Sequence, residues 1–237
     1  MWEKEEIMSK KNQKVQLANL STEALALLSG YSVAITEIKK LSATHKAEND
    51  RIRANIETLK KEATDGKKLQ TLTTDREEEI QSLIETLTLQ IMRNDAQFQS
   101  DKKPYVKAKN AALAMIPEDV YRSYTKVWED GKDALWVADI KKFLEATGVD
   151  VGNEVAVANF AAVMKIRCAG SRNAPAKDTS GRLLAVKGQR TFDETVMKCF
   201  IDYAVVEKGV LDRAEDGTIT RHIFEEKQTA SEEKQTA

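Results

Sequence analysis

The stretch from Ser21 to Phe98 limits the possible folds more than any other part of the chain. It contains no proline, and its only glycines are Gly30 and Gly66. Its apolar residues recur at alternating spacings of three and four, the period of a helix that buries one narrow stripe. One stripe runs from Tyr31 through Ile35, Ile38, Ser42, His45, Asn49, Ile52, Ile56, Leu59 and Ala63. A second runs Leu69, Thr73, Arg76, Ile80, Ile84, Leu87, Ile91, Asn94 and Phe98. Between them Asp65-Gly66-Lys67-Lys68 reads as a turn. The pattern predicts an antiparallel helical hairpin over residues 21–103, a coiled-coil-like arm on the order of 50 Å long at about 1.5 Å per residue. With the turn near Gly66, Ile52 falls opposite Ile80 and His45 opposite Leu87. Ser42, His45 and Asn49 weaken the middle of the seam, and such residues set register or partner number at a cost in stability. The competing arrangement is one straight helix that dimerises between chains.

The rest of the chain reads as a compact helical domain with one small β-hairpin, so the expected fold class is mainly α. Residues 1–20 are polar and read as a flexible segment, with Met8-Ser9-Lys10-Lys11 resembling an alternative start. Ser21 or Thr22 is placed to cap the first helix, with Glu23 in its first turn, and Gly30 is a potential interruption. Pro104 is expected to end the arm and open the domain, residues 104–224. After a short segment from Tyr105 to Met115, Pro117 suits the first turn of a helix with the stripe Val120, Tyr124, Val127 and Trp128, stopped by Gly131. The next helix, Lys132 to Thr147, would bury Trp136, Ile140, Phe143 and Leu144 and stop at Gly148. Asn153 can cap another, with Val157, Phe160, Ala161, Met164 and Cys168 on one face and Gly170 at its end. Residues 169–190 form a long break. Thr191-Phe192-Asp193-Glu194 reads as a capping box. It opens a helix with Phe192, Val196, Cys199, Phe200, Tyr203 and Val206 on one face and Gly209 at its end. Val210 to Arg213 and Thr218 to Phe224 flank Glu215-Asp216-Gly217, the pattern of a β-hairpin. Residues 225–237 lie within a tandem repeat without apolar periodicity and are expected to be disordered.

Composition narrows the class. Charged residues make up 32% and aromatics 6%, a balance that suits helices with one wet face better than a buried parallel sheet. Three prolines and ten glycines are too few for an all-β sandwich. A net charge of -1 gives no global field to attract nucleic acid or membrane. The two cysteines, Cys168 and Cys199, are too few for a disulfide scaffold, and each reads as an inert buried thiol. A bond between them is possible only if their two helices face each other. The first residues are too acidic for a secretory signal, and no run approaches the roughly 18 apolar residues of a membrane span. The expectation is a cytoplasmic protein with no membrane partner.

No stretch names a reaction. His45 and His222 stand far from each other and from any cysteine, so no metal site is expected. There is no Gly-x-Ser-x-Gly elbow and no phosphate-cradling loop, since Gly181 and Gly188 are wrongly spaced for one. No cofactor and no catalytic residue are therefore assigned, and the chain is read as a non-enzyme. One patch has a physical rationale for binding: Lys165, Arg167, Arg172, Lys177, Arg182, Lys187 and Arg190, seven bases with one acid between Lys165 and Arg190. Cations on a pliable loop can follow a phosphate backbone. The same charges also suit a solvated linker that balances the acidic C-terminal region. A helix followed by a hairpin, as at 191–224, resembles the order of elements in winged-helix modules, although Asp193, Glu194, Asp202 and Glu207 make that helix acidic for a recognition helix.

The leading expectation is a non-enzymatic interaction protein of adaptor, scaffold or inhibitor type. It would bind a protein partner, or another copy of itself, through the arm seam (Ile35, Ile38, Ile52, Ile56, Ile80, Ile84, Leu87 and Ile91) and the basic loop. The alternative is a nucleic-acid-binding protein that uses the 165–190 segment.

Overall fold

The computed structural model describes residues 15–118, 120, 133–169 and 189–223. The expected helix after Pro117, with Tyr124, Val127, Trp128 and Gly131, therefore lies almost wholly outside the described residues, as do residues 1–14, Gly170 and the 225–237 repeat. The described part is mainly α. It contains α1 (Thr22–Lys68), α2 (Thr74–Leu113), α3 (Asp133–Ala146), α4 (Glu154–Ala169), α5 (Gln189–Asp202) and a two-stranded antiparallel sheet, β1 (Leu211–Arg213) and β2 (Ile219–Arg221).

α1 and α2 pair along their length as an antiparallel hairpin. Ser21 caps α1, its Oγ accepting from the Ala24 amide at 3.1 Å. Gly30 does not interrupt the helix. The turn differs from the sequence expectation. α1 runs through Gly66 to Lys68, and the chain reverses at residues 69–73. The Gln70 amide donates to the Lys67 carbonyl and the Thr71 amide to the Gly66 carbonyl, with Gln70 itself at φ 57°. That is a Schellman closure in which a glutamine occupies the left-handed position. Gly66 is needed for a different reason: a Cβ there would meet Leu72 Cβ at 3.1 Å, because Leu72 folds back across it. Thr73 then caps α2, its Oγ1 accepting from the Arg76 amide at 3.3 Å.

Moving the turn by about five residues moves each cross-helix partner by about ten. His45 therefore meets Asp95 and Phe98 rather than Leu87, and Ile52 is carried away from Ile80 toward the Leu87–Ile91 region. The seam also swaps one position. Ser42 is exposed and Leu41 turns inward in its place.

Both ends of the arm belong to the domain core. Pro104 does not end α2, which continues nine residues beyond it to Leu113. Proline removes one backbone donor and crowds the preceding turn, but the helix passes through it. Ala112 and Leu113 at the end of α2 are buried in the same cluster as Leu28 and Tyr31 of α1. Residues 15–20 are not loose either, since Leu17 and Leu20 are part of that core.

α3 and α4 follow the expected stripes. Trp136, Ile140, Phe143 and Leu144 on α3, and Val157, Phe160, Ala161, Met164 and Cys168 on α4, are all buried. The Trp136 indole N–H donates to the Ala161 carbonyl at 2.7 Å, joining the two helices and satisfying a donor that burial would otherwise strand. Asn153 caps α4, its Oδ1 accepting from the Ala156 amide at 3.0 Å. The end of α3 abuts the start of α1, where the Ser21 amide donates to the Thr147 carbonyl at 2.9 Å.

α5 is the central helix. It starts at Gln189, so Thr191 lies inside it and the expected capping box is not its N-terminus. From Phe192 to Asp202 only Lys198 is exposed. Phe200 meets Phe143 edge to face at 5.0 Å and Phe160 at 6.1 Å. A wider π-type turn, Tyr203–Glu207, follows, with the Lys208 amide donating to the Tyr203 carbonyl. Each residue of such a turn advances less than the 100° of an α-helix. The phase slips, and Val206, expected on the buried face, is 78% exposed.

The β-hairpin pairs Leu211 with Arg221 and Arg213 with Ile219. It braces the base of the arm. Leu211 and Ile219 enter the core, the Ile219 amide donates to Ser29 Oγ at 3.0 Å, and the Arg221 guanidinium donates to the Leu20 carbonyl. Gly217 (φ 94°) presses so closely on α1 that a Cβ would lie 2.7 Å from the Ser32 carbonyl oxygen.

Candidate interaction surface

Along the seam, Ile52, Ile56 and Ile80 are buried, while Ile35, Ile38, Ile84, Leu87 and Ile91 are half-buried. A pair of helices can hide only one stripe each, so half-burial is the natural state of a two-helix seam. These residues therefore hold the arm together, and its outer faces are the ones left to solvent.

A polar lock sits where the seam is weakest. Asn49, 1% exposed, donates from Nδ2 to Asp95 Oδ1 at 2.9 Å and accepts at Oδ1 from Asn94 Nδ2 at 3.2 Å. His45 Nε2 lies 2.7 Å from the same Asp95 oxygen, and its ring stacks on Phe98 at 4.5 Å. The bonds from His45 and Asn49 hold the Asp95 carboxyl below its ordinary range. Such a set satisfies the buried amide in one register only, so it fixes how the two helices slide. At the tip, Arg76 bridges Glu62 of α1 at 2.7 Å and Lys67 pairs with Glu77. Exposed pairs of this kind stabilise little and mainly orient.

The outer face of α2 carries large apolar side chains. Leu89 is 53% exposed and Met92 63%, with Ala96 exposed one turn further. Leu89 lies two residues from both Leu87 and Ile91, about 200° around the helix, so it points directly away from the seam. Leu83 is partly exposed as well, and Leu69 at the tip is 73% exposed. Sequence reading focused on the seam and missed this patch. The signal was present as Leu89, Met92 and Ala96 at spacings of three and four, outside the seam positions.

Of the seven basic residues singled out from sequence, Arg172, Lys177, Arg182 and Lys187 lie outside the described residues. Arg190 falls in the first turn of α5, with its side chain not described. Lys165 is half-buried on α4. Arg167 is engaged within the protein: its guanidinium pairs with Glu207 and lies 5.3 Å from the centre of the Tyr203 ring. A winged-helix use of α5 has no exposed helix face to work with between Phe192 and Asp202, and the hairpin is packed against α1.

One cleft, of about 400 Å³, opens between α1, α5 and the hairpin. The Tyr31 hydroxyl donates to the Glu194 carbonyl there at 3.3 Å, and Lys109 pairs with the Glu194 carboxylate at 2.6 Å. Burial, then the negative charge of Glu194 and Asp202, pushes the Tyr31 phenol well above its ordinary range. Burial also raises Asp202, but the bonds from Lys198 and Arg213 outweigh it and hold this carboxyl below its usual value. Of the charged residues that line the cleft, Asp202 pairs with both Lys198 and Arg213, and Glu194 is held by Lys109 from outside it. Among the described residues no group of three metal-ligating side chains comes together, and no helix is long and apolar enough to cross a membrane. No protein-family model, no curated protein and no solved structure matches this chain.

Proposed function

We propose that the protein is a macromolecular interaction protein, of adaptor, scaffold or inhibitor type, whose helical arm is the contact surface. The observation that supports this most directly is the outward apolar patch of Leu89, Met92 and Ala96 on a helix whose inward stripe is already occupied. Exposed apolar side chains at helical spacing suit a partner that offers an apolar helix face or groove of its own. The polar lock supports the same reading. A register fixed by Asn49 keeps the patch in one place relative to α1, which binding requires and stability alone does not. The partner is taken to be another protein, and a second copy of this chain is one form it can take.

The test is a photo-cross-linking residue placed at Leu89 or Met92 in the full chain within its native cells, with Glu57 on α1 as the control position, and light-scattering mass measured on the purified protein. The expected result is one discrete adduct from positions 89 and 92 and none from 57. Leu89→Glu with Met92→Glu should remove the adduct partner's binding by at least about tenfold while leaving the melting temperature unchanged, because both side chains are exposed. A monomeric mass together with no adduct from either position refutes the proposal. Binding of random-sequence DNA or RNA that falls steeply with salt would transfer the function to the 165–190 segment.

A further inference from the structure

We propose that the outer face of α2 binds a second copy of this chain, packed antiparallel against it about a two-fold axis between residues 90 and 91. The inference rests on the reading of the arm as an interaction surface and names what that surface binds. Leu89, Met92 and Ala96 are the middle of a longer stripe. Continued at the same alternating steps of three and four, it runs back through Glu85 and Ser82 to Glu78 and forward through Gln99 to Lys103. That is the repeat of a coiled-coil seam. Each position stands two residues out of phase with the inner seam, so the stripe lies on the opposite side of the helix. All of these residues are exposed.

The stripe is acidic at one end, apolar in the middle and basic at the other, and exposed Asp75 and Lys107 extend the same polarity. It is its own complement when reversed. About the midpoint, Leu89 falls against Met92 of the second copy, Glu85 against Ala96 and Glu78 against Lys103. The two-fold axis makes each of these contacts twice. The small Ala96 leaves room for the Glu85 side chain to reach solvent. A parallel pairing would instead set Glu78 against Glu78 and Lys103 against Lys103. Among the described residues neither Glu78 nor Lys103 has an ion pair within the chain. Glu78, Gln81, Ser82 and Glu85 frame a shallow depression on the acidic half, where an ammonium group would be received. A stripe shaped for an unrelated partner has no reason to match its own reverse, whereas self-complementarity is what an isologous interface requires.

The same register clears the rest of the fold. α2 begins about 25 Å from the midpoint on one side, and Ala112 and Leu113, where it enters the core, lie about 33 Å from it on the other. Each domain therefore falls beyond the start of α2 in the other copy, and the two domains sit at opposite ends of the paired arms.

The experiment measures light-scattering mass of the full chain from about 1 μM to about 1 mM. The expected result is a rise from one chain to two. Glu78→Lys and Lys103→Glu should each weaken self-association by about tenfold, because each reversal places like charges together twice per dimer. The variant carrying both should recover it. So should an equimolar mixture of the two single variants, in which every pair is again of opposite sign. A photo-cross-linking residue at Ser82 of the purified protein should join the second copy near Gln99. Both charged residues are exposed, so the melting temperature should not move and lost association cannot be put down to misfolding. A mass of one chain throughout overturns self-association. If positions 89 and 92 then still capture a different protein in cells, the reading of the arm survives, and if they capture nothing both fall. A dimer indifferent to the reversals, or a cross-link from residue 82 to residue 82, overturns the antiparallel register.

Discussion

Gly217→Ala and Gly30→Ala place the same methyl group against or within the same helix, and the structure requires opposite outcomes. At Gly217 the added Cβ meets the Ser32 carbonyl oxygen and Thr36 Oγ1 at 2.7 Å, and the backbone sits at φ 94°. The left-handed conformation costs an L-residue about 1–2 kcal/mol. Relieving the contact pushes the hairpin back by roughly 0.7 Å to reach ordinary packing distance. That retreat stretches the 3.0 Å bond from the Ile219 amide to Ser29 Oγ beyond useful length. Losing it adds about 1 kcal/mol. The total is about 2–3 kcal/mol of destabilisation, or a fall of roughly 4–12 °C in melting temperature for a chain of this size. At Gly30, nothing lies within 4 Å of the added Cβ, and the residue is helical. Alanine there should stabilise by about 1 kcal/mol, a rise of roughly 2–4 °C. Thermal unfolding followed by circular dichroism measures both, and hydrogen exchange at the Ile219 amide reports the hairpin directly. If the two variants melt within a degree of each other, or Ile219 stays protected in Gly217→Ala, the hairpin is not the brace described here.

Three further outcomes follow from named contacts. Replacing Asn49 and Asn94 together by leucine removes the Asn49–Asn94 pair and leaves Asp95, which is solvent-exposed, to His45 and water, so stability should hold or rise by about 1 kcal/mol. The cost should be a lost unique register, visible as multiple sets of arm resonances; a single set would deny the lock its role. Gln70→Gly should stabilise by about 0.5–1 kcal/mol in a thermal melt, because glycine takes the left-handed turn position without strain and the side chain is exposed. Asp202 has a depressed carboxyl, so its contribution is present above the unfolded value of about 3.9 and is lost as pH falls through the lower folded value. Asp202→Asn should thus lower stability at neutral pH by at most about 1 kcal/mol, given solvent screening, and lose its effect in acid; an equal deficit at both pH values would contradict this.

What the sequence revealed and what it hid divide along a physical line. Periodicity is local, so the seam, the α3 and α4 stripes and the hairpin were legible. Asn49, Ile52, Ile56 and Ile80 repeat at helical spacing whatever surrounds them. The position of the turn was not legible in the same way. Asp65-Gly66 is the stronger turn dipeptide by composition, yet Gly66 serves a close approach by Leu72 and the reversal is made by Gln70. Pro104 misled for a related reason. A helix tied at its far end into a core, here by Ala112 and Leu113, tolerates a proline that an isolated helix would not. Val206 was misplaced because a π-type turn leaves no periodic trace in the residues before it. A bond between Cys168 and Cys199 could be posed from the sequence only as a condition on which helices pack together, and both thiols are free.

The base of the arm carries a consequence for how binding at its outer face would be felt. α1 enters the core through Ala24, Leu28 and Tyr31, and α2 returns to it through Ala112 and Leu113. Both helices are continuous from that core to the turn, with Pro104 of α2 lacking a backbone donor. A displacement of the tip must then be absorbed either by bending along the arm or by movement at the base. At the base, Gly217 is wedged against Ser32 and the Tyr31 hydroxyl is tied to α5, both within one helical turn. Packed contacts of this kind resist graded deformation. A partner that engages Leu89 and Met92 without disturbing the domain should therefore leave exchange at Ile219 unchanged, whereas one that pulls the arm aside should loosen the hairpin first.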